Sequence, residues 1–154
     1  MEGLIPVRGF FRIQIGEGED GKKIVGDSGW CENEVVNEGF EDYVIGSLGA
    51  IAGSKQITNI QLGTGTAPNV THTALDGSTK GGTCSNSVIA SKTLQSTISF
   101  ASGDHPTGTP TLQNIAIGNT ASGATIMAGN TYEASVWNSN QAVSATYQLR
   151  FGTA

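Results

Sequence analysis

The sequence has few charged residues and no long apolar run. Aspartate, glutamate, lysine and arginine make up 14% of its 154 residues, against roughly 25% in an average soluble protein. Threonine, serine, asparagine and glycine are abundant instead, which indicates a neutral, hydroxyl-rich surface that suits a β-protein packing against neighbours. No apolar stretch approaches the roughly 20 residues that cross a bilayer. The sequence therefore predicts no membrane partner.

Basic residues are scarce, and the formal net charge is −5. Because phosphate binding needs a basic patch, the sequence predicts no nucleic-acid partner. Residues 1–42 hold ten of the thirteen acidic groups but only four of the eight basic ones. This asymmetry fits either an acidic face that steers head-to-tail contact between copies or a solvated acidic hairpin and helix start.

Only two cysteines are present, Cys31 and Cys84, and they lie far apart in unlike contexts. They can pair only if the fold brings them together, which the sequence leaves open. The start MEGLIPVRG lacks the basic and apolar blocks of a signal peptide. We therefore expect the protein to be made and folded in a cytoplasm.

Alternation of apolar and polar residues dominates the chain and predicts β-strands. It is clearest in the segment AVSATYQLRF, and it recurs from Phe11 to Ile15, from Leu94 to Phe100 and from Leu112 to Ile117. We predict a mainly β fold, an antiparallel β-sandwich or small barrel of about seven to eight strands. Residues 1–6 are predicted to form an N-terminal arm and residues 7–154 a single β-rich domain.

Turn-forming residues predict where these strands end. GEGEDG, from Gly16 to Gly21, makes the first strand one arm of a hairpin. Residues 76–86 and residues 103–110 are predicted to be loops, since they are rich in glycine and small polar residues or in glycine and proline. A turn at Gly129 and Asn130 is predicted to divide Ile126–Trp137 into two strands.

One short helix is predicted near residues 38–52. Apolar residues recur there at steps of three and four, which places them along one helix face: Phe40, Tyr43, Val44, Leu48 and Ile51. Asn37 is a candidate N-cap, and Gly53 suits the left-handed position that follows a helix.

No catalytic or metal-binding arrangement stands out, and we predict no enzyme, no cofactor and no metal site. The GDSG at Asp27 and Ser28 resembles the nucleophile motif of chymotrypsin-like proteases. However, His72 and His105 both lie downstream of the serine, and Trp30 follows where that family has glycine. The histidines and cysteines also lack the short spacing of zinc ligands.

Four aromatic residues leave a further alternative open: Trp30, Trp137, Tyr132 and Tyr147. They could stack on a sugar or pack in a core or interface. A glycan-binding or receptor-binding module would expose aromatic side chains near Tyr132 and Trp137.

Four segments together resemble small virion structural proteins of tailed bacteriophages: NEGFEDYVIGSLGA, ITNIQLGTGTAPNVTHTAL, TLQNIAIGNTASGATIMAGNTYEASV and QAVSATYQLRF. In that family a helix precedes an LGTGT-Pro-x-x-T-x-T-x-L loop, and the chain ends in a strand. The resemblance implies a capsid decoration protein located in the virion, with the major capsid protein or other virion proteins as partners and a homo-oligomeric or multi-copy assembly. Tail, baseplate and fibre proteins share the pattern. Related loops carry T-D-T-A-L where this chain has His72, so no role of that aspartate carries over.

Overall fold

Antiparallel strand pairing organises the chain in the computed structural model, which describes residues 6–18, 20–77, 79–105, 108–121 and 125–152. Its strands are β1 (Val7–Glu17), β2 (Lys23–Asp27), β3 (Cys31–Val35), β4 (Asn59–Gly63), β5 (Thr79–Thr83), β6 (Ser85–Ala90), β7 (Thr93–Phe100), β8 (Thr111–Gly118), β9 (Ile126–Val136) and β10 (Gln141–Phe151). They pair in the order β5-β4-β8-β9-β3-β1-β10-β7-β6, with β2 on β1. The predicted mainly β, antiparallel class is confirmed. The predicted arm lies outside the described residues apart from Pro6.

The sheet curls into a nearly closed barrel because β5 and β6 act as one bent strand. Only Cys84 separates them, yet β5 pairs with β4 while β6 pairs with β7. The chain itself thus joins the two ends of the sheet. The predicted loop over residues 76–86 is therefore wrong for most of its length. Its small polar residues have weak strand propensity, and pairing with β4 and β7 overrides it.

The barrel interior is filled by alternate residues of the paired strands. β1 and β10 pair along their full length, from Val7 with Phe151 to Glu17 with Gln141. Their inward residues are buried, as the alternation predicts: Phe11, Ile13, Ile15, Val143, Ala145, Tyr147 and Leu149. One end of the barrel is closed by Trp137, whose ring packs against Phe100.

The predicted turn at Gly129 and Asn130 is wrong, since β9 runs through both residues without a break. Gly129 pairs with Glu34 on one side and with Ala116 on the other. A Cβ at this position would lie 2.5 Å from the carbonyl oxygen of Ile115. The glycine therefore serves close strand approach instead of a turn.

Residues 64–77 leave the sheet after β4 and return beside their starting point. Gly65 and Gly77 touch at the neck, where a Cβ on Gly77 would lie 2.5 Å from the Gly65 nitrogen. The N–H and hydroxyl of Thr66 donate to the Asp76 carboxylate at 3.3 and 3.1 Å. These hydrogen bonds hold the pKa of Asp76 below its usual value. A compact loop with joined ends is an Ω-loop.

The Ω-loop packs on the outer face of the barrel. The Asn114 amide donates to the carbonyl oxygens of Thr66 and Asp76 at 2.9 and 3.0 Å. Leu75 fills a small second core with three other buried residues: Val36, Ala116 and Ile126. The LGTGTAPNVTHTAL segment thus has a structural role, because it supplies the neck of the loop and its anchor.

Candidate functional site

A short helix lies across the end of the barrel opposite Trp137. Its first part, Gly39–Ile45, is π-helical, and one α-helical turn, Gly46–Leu48, follows. The N–H of Gly46 donates to the carbonyl of Glu41, five residues back. The predicted helix near residues 38–52 is confirmed, but it is shorter than expected.

The predicted caps of this helix are wrong. The residue that caps its first turn is Glu38, and no side chain makes a capping hydrogen bond there. The helix ends at Leu48, so Gly53, with φ of 88°, belongs to a later turn. The chain that enters the helix is held by backbone hydrogen bonds instead. The N–H groups of Val36 and Asn37 donate to the carbonyl oxygens of Met127 and Val70.

The inward face of the helix is narrow. Tyr43 is buried, and its hydroxyl donates to the carbonyl of Thr125. Gly39 rests on the barrel, where a Cβ would lie 2.1 Å from the carbonyl oxygen of Met127. The predicted apolar stripe does not pack as one face, because π-helical turns are wider than the spacing of three and four assumes.

Four apolar side chains of this segment consequently face outward, and we call them the helix surface: Phe40 at 38% exposure, Ile45 at 63%, Leu48 at 86% and Ile51 at 60%. Sequence reasoning assigned three of them to a packed face and did not single out Ile45. Exposed apolar groups of this size, close together in the chain, make this surface a candidate interaction site.

An open cavity of about 440 Å³ lies between the helix and the end of the barrel. Its lining is mainly apolar and includes Val44, Leu48, Ile57, Leu94, Leu149 and Phe151. The mouths of barrels are common places for ligands or partners. The cavity and the helix surface share Leu48, so one end of the molecule presents a continuous apolar region.

Lys55 anchors the helix to the loop that follows it. Its Nζ lies 2.6 Å from Glu38 Oε1 and 2.5 Å from Asp42 Oδ2. The lysine side chain is only 19% exposed. Hydrogen bonds to Asp42 and Glu38 raise the pKa of Lys55 above its usual value, so the group is charged at neutral pH.

Replacing Lys55 by methionine is expected to lower the free energy of unfolding by about 1–2 kcal/mol, because two partly buried carboxylates lose their partner. The raised pKa means that this contribution is complete below the usual lysine value of about 10.4 and is lost as the pH rises through the folded value. Denaturant unfolding at pH 7 measures it. Lys92→Met, at an exposed turn, is the control, and an equal loss in both variants would contradict the anchoring role.

The residues weighed for catalysis have local structural partners. Ser28 Oγ accepts from the N–H of Ile13 and donates to the carbonyl of Gly29. Asp27 pairs with Arg12, whose hydrogen bond holds the pKa of that carboxyl well below its usual range. Ser28 and Asp27 thus hold the end of β2 against β1.

The histidines lie apart from that pair. His72 Nε2 lies 3.2 Å from the Asn69 amide in the Ω-loop, and His105 packs edge-on against Trp137. Within the described ranges, no three histidine, cysteine or acidic side chains come together as a metal site. Cys31 and Cys84 are free thiols.

The aromatic residues divide between core and surface. Trp137 and Tyr147 are buried, and Tyr132 is half-buried against Phe11. Trp30 is 46% exposed, and the Arg150 guanidinium lies 5.9 Å from its ring centroid. A glycan-binding module would need exposed aromatic side chains near Tyr132 and Trp137, and the burial of Trp137 does not meet that requirement.

In the part of the chain that the structure describes, no helix is both long and apolar enough to cross a membrane. Comparison of the chain with protein-family models, with curated proteins and with solved structures gives no match.

Proposed function

We propose that the protein is a structural component of a tailed-bacteriophage virion, a decoration protein that binds the outside of the capsid. The resemblance of its helix, Ω-loop and terminal strand segments to virion proteins supports this proposal. The observation that carries it is the helix surface, where Ile45, Leu48 and Ile51 are each more than half exposed. A chain with so few charges needs a partner to cover these groups.

The partner is the major capsid protein. Lys55 offsets one of the two negative charges of Glu38 and Asp42 at the start of the helix. Glu41 stays exposed beside Phe40, so this end of the helix is acidic. The helix surface therefore fits an apolar patch that has basic residues at its rim. Each contact is modest, and many copies on one shell multiply their effect on capsid stability.

Binding to expanded, undecorated capsids tests the proposal. We expect the purified protein to bind capsids assembled from the major capsid protein of the phage that encodes it. Leu48→Glu is expected to weaken binding roughly 30-fold, since it places a charge at the centre of the apolar surface. Sedimentation of the protein with capsids measures both.

Ile24→Glu is the matched control, since Ile24 is a half-exposed apolar residue on β2. Equal binding by Leu48→Glu and the wild type would remove the helix surface from the interface. Failure to bind capsids, together with addition to tail assemblies, would replace the decoration role by that of a tail, baseplate or fibre protein.

A glycan-binding or receptor-binding role is the second candidate, and the exposed ring of Trp30 favours it. The Arg150 guanidinium lies over Phe10 at 4.3 Å from the ring centroid, which places two aromatic rings and a cation on one face. Such faces can stack on sugars. A glycan-array signal that Trp30→Ala abolishes would favour this role over capsid decoration.

A further inference from the structure

We propose that two copies of the chain pair through the free edge of β6, so that their sheets join into one. This inference does not depend on a phage origin, because it concerns the purified chain alone. It rests on the unpaired backbone of β6, on the composition of that strand, and on the apolar cavity beside it.

The outer edge of β6 is open from Ser87 to Ala90. β6 pairs with β7 on one side, and it stands at the end of the strand order. On the other side, the N–H of Cys84 donates to Thr58, and the Asn86 amide donates to the carbonyl of Ile57. Past Asn86, no backbone hydrogen bond from another described strand or loop reaches this edge. Unpaired backbone groups in a row are a template for another strand.

The composition of β6 favours a second copy as the occupant. In an antiparallel pair of identical strands, charged residues near the two-fold axis face like charges, which is unfavourable. No charged residue occurs from Gly81 to Ser91. β2 also has a free edge, but it carries Lys23 and Asp27. Charges of this kind protect a strand edge from pairing, and β6 carries no charge. The ladder of β6 with β7 is regular from Ser85 to Val88 and shifts register only at Ile89.

The cavity explains what such a dimer would bury. Val88 pairs with Leu94, so the two side chains project from the same face of the sheet. Leu94 and Asn86 line the cavity under the helix. Val88, beside Leu94, is 75% exposed. A β6 strand from a second copy would place its own Val88 on this face, beside the cavity mouth. The pairing thus covers apolar surface as well as completing backbone hydrogen bonds.

Sedimentation velocity across a concentration series, with Val88→Lys, tests the proposal. We expect the wild type to form dimers as concentration rises, and the lysine variant to dissociate at least about tenfold more readily, because like charges then face each other at the axis. Ile24→Lys, a half-exposed strand residue on β2, is expected to dimerise like the wild type. Hydrogen exchange of residues 85–90 should slow as dimers form.

Three results would overturn the proposal. The first is a wild-type chain that stays monomeric throughout the series. The second is a dimer that Val88→Lys and Ile24→Lys affect equally. The third is a dimer whose formation leaves the exchange of residues 85–90 unchanged, which would place the interface elsewhere. The exchange measurement on the wild type decides the question even if a variant fails to fold.

Discussion

Replacing Trp137 by alanine is expected to lower the free energy of unfolding by about 3–5 kcal/mol. The side chain is fully buried, and its indole N–H donates to the carbonyl of Gln141 at 2.8 Å. Removal leaves a cavity between Phe100 and His105, both of which contact the ring. It also leaves the Gln141 carbonyl without its donor. Guanidinium unfolding followed by far-ultraviolet circular dichroism measures the loss.

Trp30→Ala is the control for this variant, because it also removes a tryptophan side chain, but one that lies at the surface. Trp30 is 46% exposed, and its contact with Arg150 is distant. The expected loss is at most about 1 kcal/mol. Similar losses in the two variants would mean that Trp137 does not close the barrel as described.

Replacing Gly39 by alanine is expected to cost about 3 kcal/mol and to lift the helix from the barrel. The new Cβ would lie 2.1 Å from the carbonyl oxygen of Met127 and 2.9 Å from its carbon. Backbone of a central strand cannot move aside as a flexible side chain can. Urea unfolding gives the energy, and hydrogen exchange over residues 39–48 shows whether the helix has come away.

Gly49→Ala is the matched control at the other end of the helix. Its Cβ would meet mainly the flexible side chain of Ile51, at 3.2 Å, and its φ of −84° is ordinary for alanine. We expect a change within about 0.5 kcal/mol. If Gly39→Ala proved as stable as Gly49→Ala, the helix would not rest on Met127.

The alternation of apolar and polar residues was enough to predict the strands that have one buried face. The sequence predicted the inward residues of β1 and β10 because most apolar residues of each strand fall on one face. It missed β5 and β6, since Thr79–Thr83 has no apolar residue and joins the sheet through its neighbours. It also divided β9, because a glycine needed for close strand approach resembles a glycine in a turn.

The candidate site was less predictable than the fold. Spacing of three and four assumes α-helical turns, whereas hydrogen bonds across five residues rotate Phe40, Leu48 and Ile51 toward solvent. No local pattern in the sequence reveals a π-helical segment, so the exposure of the helix surface follows only from coordinates. The motif of the Ω-loop was visible in the sequence. Its structural role follows from the hydrogen bond between Asn114 and Asp76, two residues that are distant from each other in sequence.

The pairing of β1 with β10 also determines when the barrel can be completed during synthesis. Val7 and Phe151 are partners, so most of the chain must leave the ribosome before β1 gains that neighbour. Contacts this far apart in sequence slow folding, because the intervening chain loses entropy before the contacts form. The nascent chain therefore leaves Phe11, Ile13 and Ile15 without their β10 partners until residues 141–151 have emerged. In that interval, the apolar face and the open edge of β1 are prone to aggregation.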